Sequence, residues 1–443
     1  MKKIFLIILS LALFTACERK ISEYTVSKGT ADFTKFITVG NSLIAGYADG
    51  ALYHNGQRYS IPNIMAGQLQ LAGSGAFVQP VVNSEYGVQF PGSGPKFKLG
   101  PKTDCTGATS LGPVPDLGTK EALAPVGYAV NNFGIPGAKS FHLLFPGYGL
   151  LNPYYSRFAS NPQTSKVVDD IVAANGTFFA LWLGDNDVLA YALAGGAADS
   201  ITSPAFFQTA MGGVLQALTA NGAKGVIATI PDVTVIPFFT TVPYNGLVLT
   251  RQSLVDSINN AMVNVYKVIL SQPYKLGQNP FLVFDATSSN PYKVRMMQPG
   301  ELVLLTVPQD SLKCAGMGII SSSKHIPYPI PTQYVLTADE VTALQAATAA
   351  YNEIIKTGLA PMFNLAVVDM NQNLKSLETG ITWNGISLST TFVTGGLFSL
   401  DGIHLNPRGN AIAANFFIEA INQKFGSTIP DADITKYPGV IFP

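Results

Sequence analysis

Residues Thr177–Asp187 read TFFALWLGDND. The first seven form a continuous apolar run, which is typical of a central β-strand that is buried on both faces. The four that follow, Gly184–Asp187, are polar and favour a turn. In open α/β sheets the reactive groups collect at the carboxyl ends of the strands. This stretch therefore predicts both a buried sheet and the edge of that sheet where a functional site lies.

Other segments of the chain repeat this alternation of apolar runs with helical patterns. Further strands are predicted at Phe33–Val39, Gly127–Asn132, Gly225–Ile230, Phe281–Asp285 and Phe363–Met370. Helices are predicted at Ile61–Leu71, Phe206–Ala220, Leu254–Ser271, Thr337–Ile355 and Pro407–Phe425. Strands alternating with helices of this length predict an α/β fold, in which a mostly parallel sheet lies between two layers of helices.

Three long segments lack either periodicity: Ser74–Pro125, Gln298–Val335 and Asn371–Ser399. They are rich in Gly, Pro, Ser and aromatic residues, and they are too long to be simple connections. We interpret them as insertions into a single domain of residues 32–443. We expect them to form walls and a lid around one site.

The composition excludes several classes of protein. The chain has 443 residues, of which 47% are hydrophobic and 12% are charged, with 27 basic and 27 acidic side chains. A balanced charge gives no reason to expect a nucleic-acid partner, since phosphates attract a basic face. The high apolar fraction argues against intrinsic disorder. No apolar span beyond the N-terminus is long enough for a membrane helix, which argues against a transporter component.

The N-terminus has the pattern of an export signal. Lys2 and Lys3 precede the apolar run Ile4–Phe14, and small Ala16 lies directly before Cys17. This arrangement resembles the bacterial lipobox and predicts a signal peptide at 1–16, an acylated Cys17 and a polar tether over 17–31. We expect an exported lipoprotein anchored to a membrane by Cys17, and Glu18 is compatible with the outer membrane. The alternative is an ordinary secretory signal with an incidental cysteine.

Four polar clusters fall at predicted strand ends or at a helix start, and together they suit nucleophilic catalysis. They are Gly40-Asn41-Ser42-Leu43, Asn132 to Gly137, Gly184 to Asp187, and Asp401-Gly402-Ile403-His404. A serine nucleophile needs a base that is held by a third group. Of the four histidines (His54, His142, His325 and His404), only His404 has a carboxylate three residues ahead. The N–H groups of Ser42 and Gly137 and the amide of Asn186 are candidate oxyanion donors.

The four clusters, in this order, resemble the SGNH hydrolases, also called GDSL lipases or esterases. The resemblance covers Phe33 to about Phe425 and departs from the family at Asn41, where an aspartate is usual. It implies a three-layer, flavodoxin-like α/β/α sandwich and the triad Ser42, Asp401 and His404. It also implies an oxyanion hole of Ser42, Gly137 and Asn186. Because asparagine can cap the same turn, we expect activity to be retained.

The resemblance predicts a serine esterase that needs no metal or cofactor. The apolar insertions favour a lipidic or aryl ester. A carbohydrate O-acetyl esterase is the first alternative, and a non-catalytic lipoprotein that binds lipid or glycan is the second. Cys105 and Cys314 either form one disulfide or remain two buried thiols. No CxxC motif or His/Cys cluster suggests a metal.

Overall fold

The computed structural model describes residues 25–443, so the predicted signal peptide and the acylation site at Cys17 lie outside the described residues. A five-stranded parallel sheet forms the centre of the protein. Its strands are β1 (Phe36–Gly40), β2 (Asn132–Gly134), β3 (Phe178–Trp182), β4 (Lys224–Ala228) and β5 (Ala366–Val368). They lie in the order β5-β4-β3-β1-β2, and every pairing is parallel.

Helices cover both faces of this sheet, which confirms the predicted α/β fold class. Successive side chains of a strand point to opposite faces. Phe178 and Trp182 of β3 contact Phe425 and Phe417 of the last helix on one face. On the other face, Phe207 stacks on Tyr351 with their ring centroids 4.2 Å apart.

The main helices follow the strands in chain order. They are α1 (Ser42–Ala45), α2 (Ile61–Leu71), α3 (Val167–Ala174), α4 (Asn186–Leu193), α5 (Pro204–Thr219), α6 (Ala338–Glu353), α7 (Met370–Glu378) and α8 (Pro407–Phe425). Helices α2 and α8 pack together on the first face, and α5 packs on α3 and α6 on the second. Among residues 25–443, no helix is both long enough and apolar enough to span a membrane.

Shorter elements surround the sandwich. Paired strands occur at Tyr47–Ala48 with Ala51–Leu52, Val88–Gln89 with Glu121–Ala122, Lys96–Thr103 with Thr109–Asp116, Leu247–Leu249 with Gly277–Asn279, Leu282–Phe284 with Val294–Met296, Leu302–Val303 with Val335–Leu336, Ile319–Ile320 with Pro327–Tyr328, and Ile381–Trp383 with Ile386–Leu388. Short helices occur at His54–Arg58, Pro153–Ser156, Pro237–Thr240, Gln252–Asn260 and Gln309–Lys313, and short π-helices at Ala261–Val265 and Ile354–Leu359.

Several predicted elements are corrected by the structure. The second strand is only Asn132–Gly134, because Asn131 instead hydrogen-bonds with Val78 through its backbone N–H and its side-chain oxygen. The predicted strand Phe281–Asp285 pairs in an antiparallel hairpin outside the central sheet. The segment Asn371–Ser399 was expected to lack helix, yet α7 begins there behind the Asp369 cap.

A disulfide bond joins Cys105 to Cys314, which resolves the choice that the sequence left open. Cys105 lies in the turn of the hairpin Lys96–Thr103/Thr109–Asp116, within the first insertion. Cys314 directly follows the short helix Gln309–Lys313 in the second insertion. An ion pair between Lys313 and Asp104 lies next to the bond. The two insertions are therefore tied to each other.

Candidate active site

The turn after β1 places Ser42 at the carboxyl edge of the sheet. Ser42 is the first residue of α1, and Asn41 caps this helix by accepting the Leu43 N–H at 3.1 Å. Gly40 has no room for a side chain, because a Cβ there would lie 2.2 Å from the Trp182 carbonyl oxygen. Close packing of β1 on β3 thus fixes where the chain turns and where the serine hydroxyl lies.

Ser42, His404 and Asp401 form one hydrogen-bonded chain. The Nε2 atom of His404 lies 2.8 Å from Ser42 Oγ, and its Nδ1 atom lies 2.9 Å from Asp401 Oδ2. Asp401 and His404 belong to the loop before α8, whose first turn is capped by Asn406. Residues that are 362 positions apart in sequence therefore meet at one edge of the sheet.

Asp401 is held as a carboxylate by the groups around it. Its Oδ1 accepts the N–H groups of Ile403 and His404 and the Ser399 hydroxyl, and its Oδ2 accepts the Gly50 N–H at 3.0 Å. Burial acts to raise the pKa of Asp401, but the charge of His404 and these hydrogen bonds lower it to about 2. Asp401 can therefore orient the imidazole and stabilise its positive charge.

Three hydrogen-bond donors lie near Ser42. The Ser42 N–H is at the first position of a helix, where it has no partner within the helix. Gly137 has a φ of 79°, a backbone conformation that favours glycine, and its N–H makes no hydrogen bond to any residue from 25 to 443. Asn186 donates one amide hydrogen to the Ala138 carbonyl at 2.9 Å, and a second hydrogen remains. All three residues line the wall of one cavity, and their role as oxyanion donors stays a prediction.

The Gly137 loop is anchored by a residue that the sequence analysis did not single out. Asp187 accepts the Ser140 N–H at 2.8 Å and the Ser140 hydroxyl at 2.7 Å. Asp187 is fully buried on α4, directly after Asn186. These bonds tie the loop that carries Gly137 to the helix that carries Asn186. They fix the distance between the two donors.

Asn41 is matched to its neighbour Asp185. The Asn41 amide donates to Asp185 Oδ2 at 2.7 Å, and both side chains are buried. Burial raises the pKa of Asp185 to about 6, although the hydrogen bond from Asn41 opposes this rise. An aspartate at position 41 would place two carboxylates in contact. The local structure therefore accounts for an amide at position 41.

A second residue that the sequence analysis missed, Asp49, holds the loop before Asp401. Its carboxylate accepts the Leu400 N–H at 2.9 Å and the Tyr53 hydroxyl at 2.7 Å, and its own N–H donates to Ser399 Oγ. Phe97, in the first insertion, donates its N–H to the Asp49 carbonyl at 2.7 Å. No motif in the sequence marks Asp49, because the contact depends on a chain separation of 351 residues.

The other three histidines lie elsewhere. His54 contacts the Val82 carbonyl, and the His325 carbonyl accepts the Tyr266 hydroxyl. His142 stacks on Tyr148 with their ring centroids 4.7 Å apart. Burial lowers the pKa of His142 to about 4, so its ring is neutral at pH 7. Within residues 25–443, His404 is the histidine that contacts Ser42.

Two cavities adjoin the triad, and we call them the narrow cavity and the wide groove. Both contain Ser42 and His404 in their walls, and their volumes are about 50 and 370 Å³. Of the three insertions, only 371–399 contributes wall residues within the described chain, namely Leu374 and Phe398. The insertion 74–125 instead lines an adjoining space of about 70 Å³, which shares Tyr47, Gly50 and Tyr154 with the wide groove. That the insertions form walls and a lid around the site therefore stays a prediction. The first insertion also supports the triad indirectly, because the Phe97 N–H donates to the Asp49 carbonyl.

Comparison with known proteins adds little to this geometry. No family model matches the chain, and no curated protein matches it. One solved structure, described as a GDSL-like lipase from Parabacteroides merdae, overlaps 89% of this chain and 99% of its own. The sequence identity is 10% and the TM-score is 0.36, values too low to carry an argument. The account of the site therefore depends on its own contacts.

The buried Asp185 gives a testable pH dependence. Its folded pKa of about 6 is above the ordinary value of 3.8, so protons bind more tightly to the folded state. The contribution of protonated Asp185 to the free energy of unfolding is therefore present below about pH 4 and is lost as the pH rises to 6. We expect Asp185→Asn to raise the melting temperature at pH 7 relative to the parent, by the equivalent of about 2–3 kcal/mol, with little gain at pH 4.

Thermal unfolding followed by circular dichroism between pH 4 and 8 measures this effect. Asn41→Asp alone should destabilise the protein above pH 6, because it brings two carboxylates together. The double variant Asn41→Asp, Asp185→Asn is the matched control, since it keeps one carboxylate and one amide. If the gain in melting temperature for Asp185→Asn did not vary with pH, the raised pKa of Asp185 would be contradicted.

Proposed function

We propose that the protein is a serine hydrolase that cleaves carboxylic esters through an acyl-enzyme intermediate. The observation that carries this proposal is the continuous Ser42–His404–Asp401 chain, with contacts of 2.8 and 2.9 Å. A serine hydroxyl that is hydrogen-bonded to an oriented imidazole is an activated nucleophile. Donors on the same edge of the sheet complete the requirements for acyl transfer.

In the acylation step, Ser42 Oγ forms a bond to the ester carbonyl carbon while its proton moves to His404 Nε2. The carbonyl electron pair moves onto oxygen, and the oxyanion is stabilised by the N–H groups of Ser42 and Gly137 and by the Asn186 amide. The electron pair then returns, the bond from carbon to the alcohol oxygen breaks, and His404 protonates the leaving alcohol. Asp401 stays ionised and stabilises the imidazolium.

In the deacylation step, a water molecule takes the place of the alcohol. His404 removes one proton from the water as its oxygen bonds to the acyl carbon. The bond to Ser42 Oγ then breaks, and His404 returns the proton to the serine. The net reaction consumes one ester and one water and releases one carboxylic acid and one alcohol.

A purely binding role is the second candidate. Asn41, in place of the usual aspartate, was the feature that favoured it. Its pairing with Asp185 supplies a structural reason for the asparagine that does not involve loss of activity. A degenerate site would be expected to lose groups that act as a unit. The retained contacts among Ser42, His404 and Asp401 therefore favour catalysis.

The substrate class was first predicted to be a lipidic or aryl ester, with acetylated carbohydrate as the alternative. The prediction of a lipidic acyl group depended on apolar insertions lining the site. Residues of 74–125 and 298–335 line neither of the two spaces at Ser42, so these insertions give no support to a long acyl chain there. The sizes of the two cavities bear on the substrate more directly.

We also propose that acylated Cys17 anchors the protein to a membrane, from the sequence pattern alone. Labelled palmitate should be incorporated into the full chain on expression in a bacterium, and the protein should sediment with membranes. A Cys17→Ser variant should incorporate no label. Equal labelling of the parent and of Cys17→Ser would contradict acylation at Cys17.

Ester hydrolysis tests the proposed activity. We expect the full chain to hydrolyse p-nitrophenyl acetate and Ser42→Ala to lose all measurable turnover, because no other hydroxyl lies against His404 Nε2 among the described residues. Asn186→Ala should keep measurable activity and lose about a hundredfold in turnover if its amide stabilises the oxyanion. Release of p-nitrophenolate, followed by absorbance, measures both effects.

Circular dichroism spectra that match the parent would show that each variant is folded. Equal activity of the parent and Ser42→Ala would show that the nucleophile is assigned wrongly. Absence of activity in a folded parent, on this and longer esters, would favour the binding role.

A further inference from the structure

The narrow cavity and the wide groove meet at the nucleophile. Five residues belong to the walls of both spaces: Ser42, Asn186, Leu189, Ile403 and His404. An ester carbonyl placed over Ser42 is therefore next to both spaces. The two parts of an ester, the acyl group and the alcohol, would be separated between them.

The narrow cavity is apolar and less open to solvent than the wide groove. Its apolar wall includes Leu43, Trp182, Val233, Ile236, Leu374 and Phe398. Trp182, Val233, Ile236 and Phe398 are all buried. A volume of about 50 Å³ accommodates about three to five water-sized groups, at roughly 10–15 Å³ each. The cavity therefore suits a short apolar chain.

The wide groove is larger and more exposed. At about 370 Å³ it is several times the volume of the narrow cavity. Tyr47, Tyr154 and Leu193 in its wall are half-buried, and Gly137 is exposed. The rings of Tyr47 and Tyr154 meet edge to face, and Tyr47 lies 4.9 Å from the His404 ring. Such aromatic walls suit a flat, ring-bearing group.

The two-step reaction determines which part of the ester enters which space. The acyl group stays bound to Ser42 through both steps. The alcohol must leave after the first step, and water must reach the same position for the second. The part that leaves needs a path to solvent, and the wide groove provides one. The part that stays can occupy the less open of the two spaces.

On the basis of the proposed esterase function, we propose that the narrow cavity binds the acyl group and limits it to about two to four carbons. The wide groove binds the alcohol, which is bulkier and carries a ring. The substrate class is thus a short-chain acyl ester of a ring-bearing alcohol, and the lipidic acyl chain that the insertions suggested is not favoured.

Leu374 lies in the wall between the narrow cavity and a second one. It lies on α7, is half-buried, and also lines a polar cavity of about 450 Å³ beyond the narrow one. Truncating Leu374 would join the two spaces and give a longer chain room to extend. Leu193 offers a matched position, since it is a half-buried leucine that lines the wide groove and not the narrow cavity.

Values of kcat/KM for p-nitrophenyl acetate, butyrate and octanoate test the proposal on the full chain. We expect the parent to prefer butyrate to octanoate by at least about tenfold. Leu374→Ala should reduce that ratio about tenfold or more. Leu193→Ala should leave the ratio within about twofold and instead change the preference between 1-naphthyl acetate and ethyl acetate. Ser42→Ala in each series identifies hydrolysis by this site.

A second change at the same position guards against a variant that fails to fold. Leu374→Trp should narrow the cavity and lower butyrate hydrolysis relative to acetate. A parent that acts through Ser42 but prefers octanoate would overturn the cavity assignment and leave the esterase function intact. So would an acyl preference that changes with Leu193→Ala and not with either Leu374 variant. A folded parent that hydrolyses no ester would overturn the proposed function and this inference with it.

Discussion

The contact between His404 and Ser42 is the interaction on which the proposed chemistry depends. It joins the end of the first strand to the loop before the last helix, so it forms only when the two ends of the domain have come together. The sheet brings the Gly137 loop and Asn186 to the same edge, because the carboxyl ends of parallel strands lie together. One constraint of topology therefore places the nucleophile, the base and the candidate oxyanion donors side by side.

Hydrogen bonds from residues outside the triad hold Asp401 and its loop in place. Asp401 is ionised because five hydrogen bonds converge on it, one of them from the Gly50 N–H. The loop that holds it is fixed by Asp49, which is contacted in turn by the first insertion through Phe97. In the second insertion, the Leu305 N–H donates a hydrogen bond to the Phe238 carbonyl. The Phe238 N–H in turn donates to the Gly402 carbonyl. The first two insertions thus stabilise the geometry of the loop, while the third contributes Leu374 and Phe398 to the narrow cavity.

The sequence predicted the elements that depend on local patterns. The apolar run Thr177–Leu183 contains a buried strand, and the helix Pro407–Phe425 has the bounds that its cap and periodicity suggested. The residues that the four clusters contributed do lie together. Asp49 and the pairing of Asn41 with Asp185 could not be predicted, because no sequence motif marks either of these long-range contacts. Helix α7 was missed because Met370 was assigned to the preceding strand. Met370, Leu374 and Leu377 follow helical spacing, and Asp369 caps the helix, so both signals were available.

The central claim is that His404 activates Ser42 as a nucleophile. The most direct measurement is covalent labelling with an alkyl fluorophosphonate, which reacts with activated serines, followed by peptide mass spectrometry. The account predicts a single adduct on the peptide that contains Ser42, and almost no labelling of a folded His404→Ala variant. Labelling of another serine, or equal labelling of Ser42 in the parent and in His404→Ala, would contradict it.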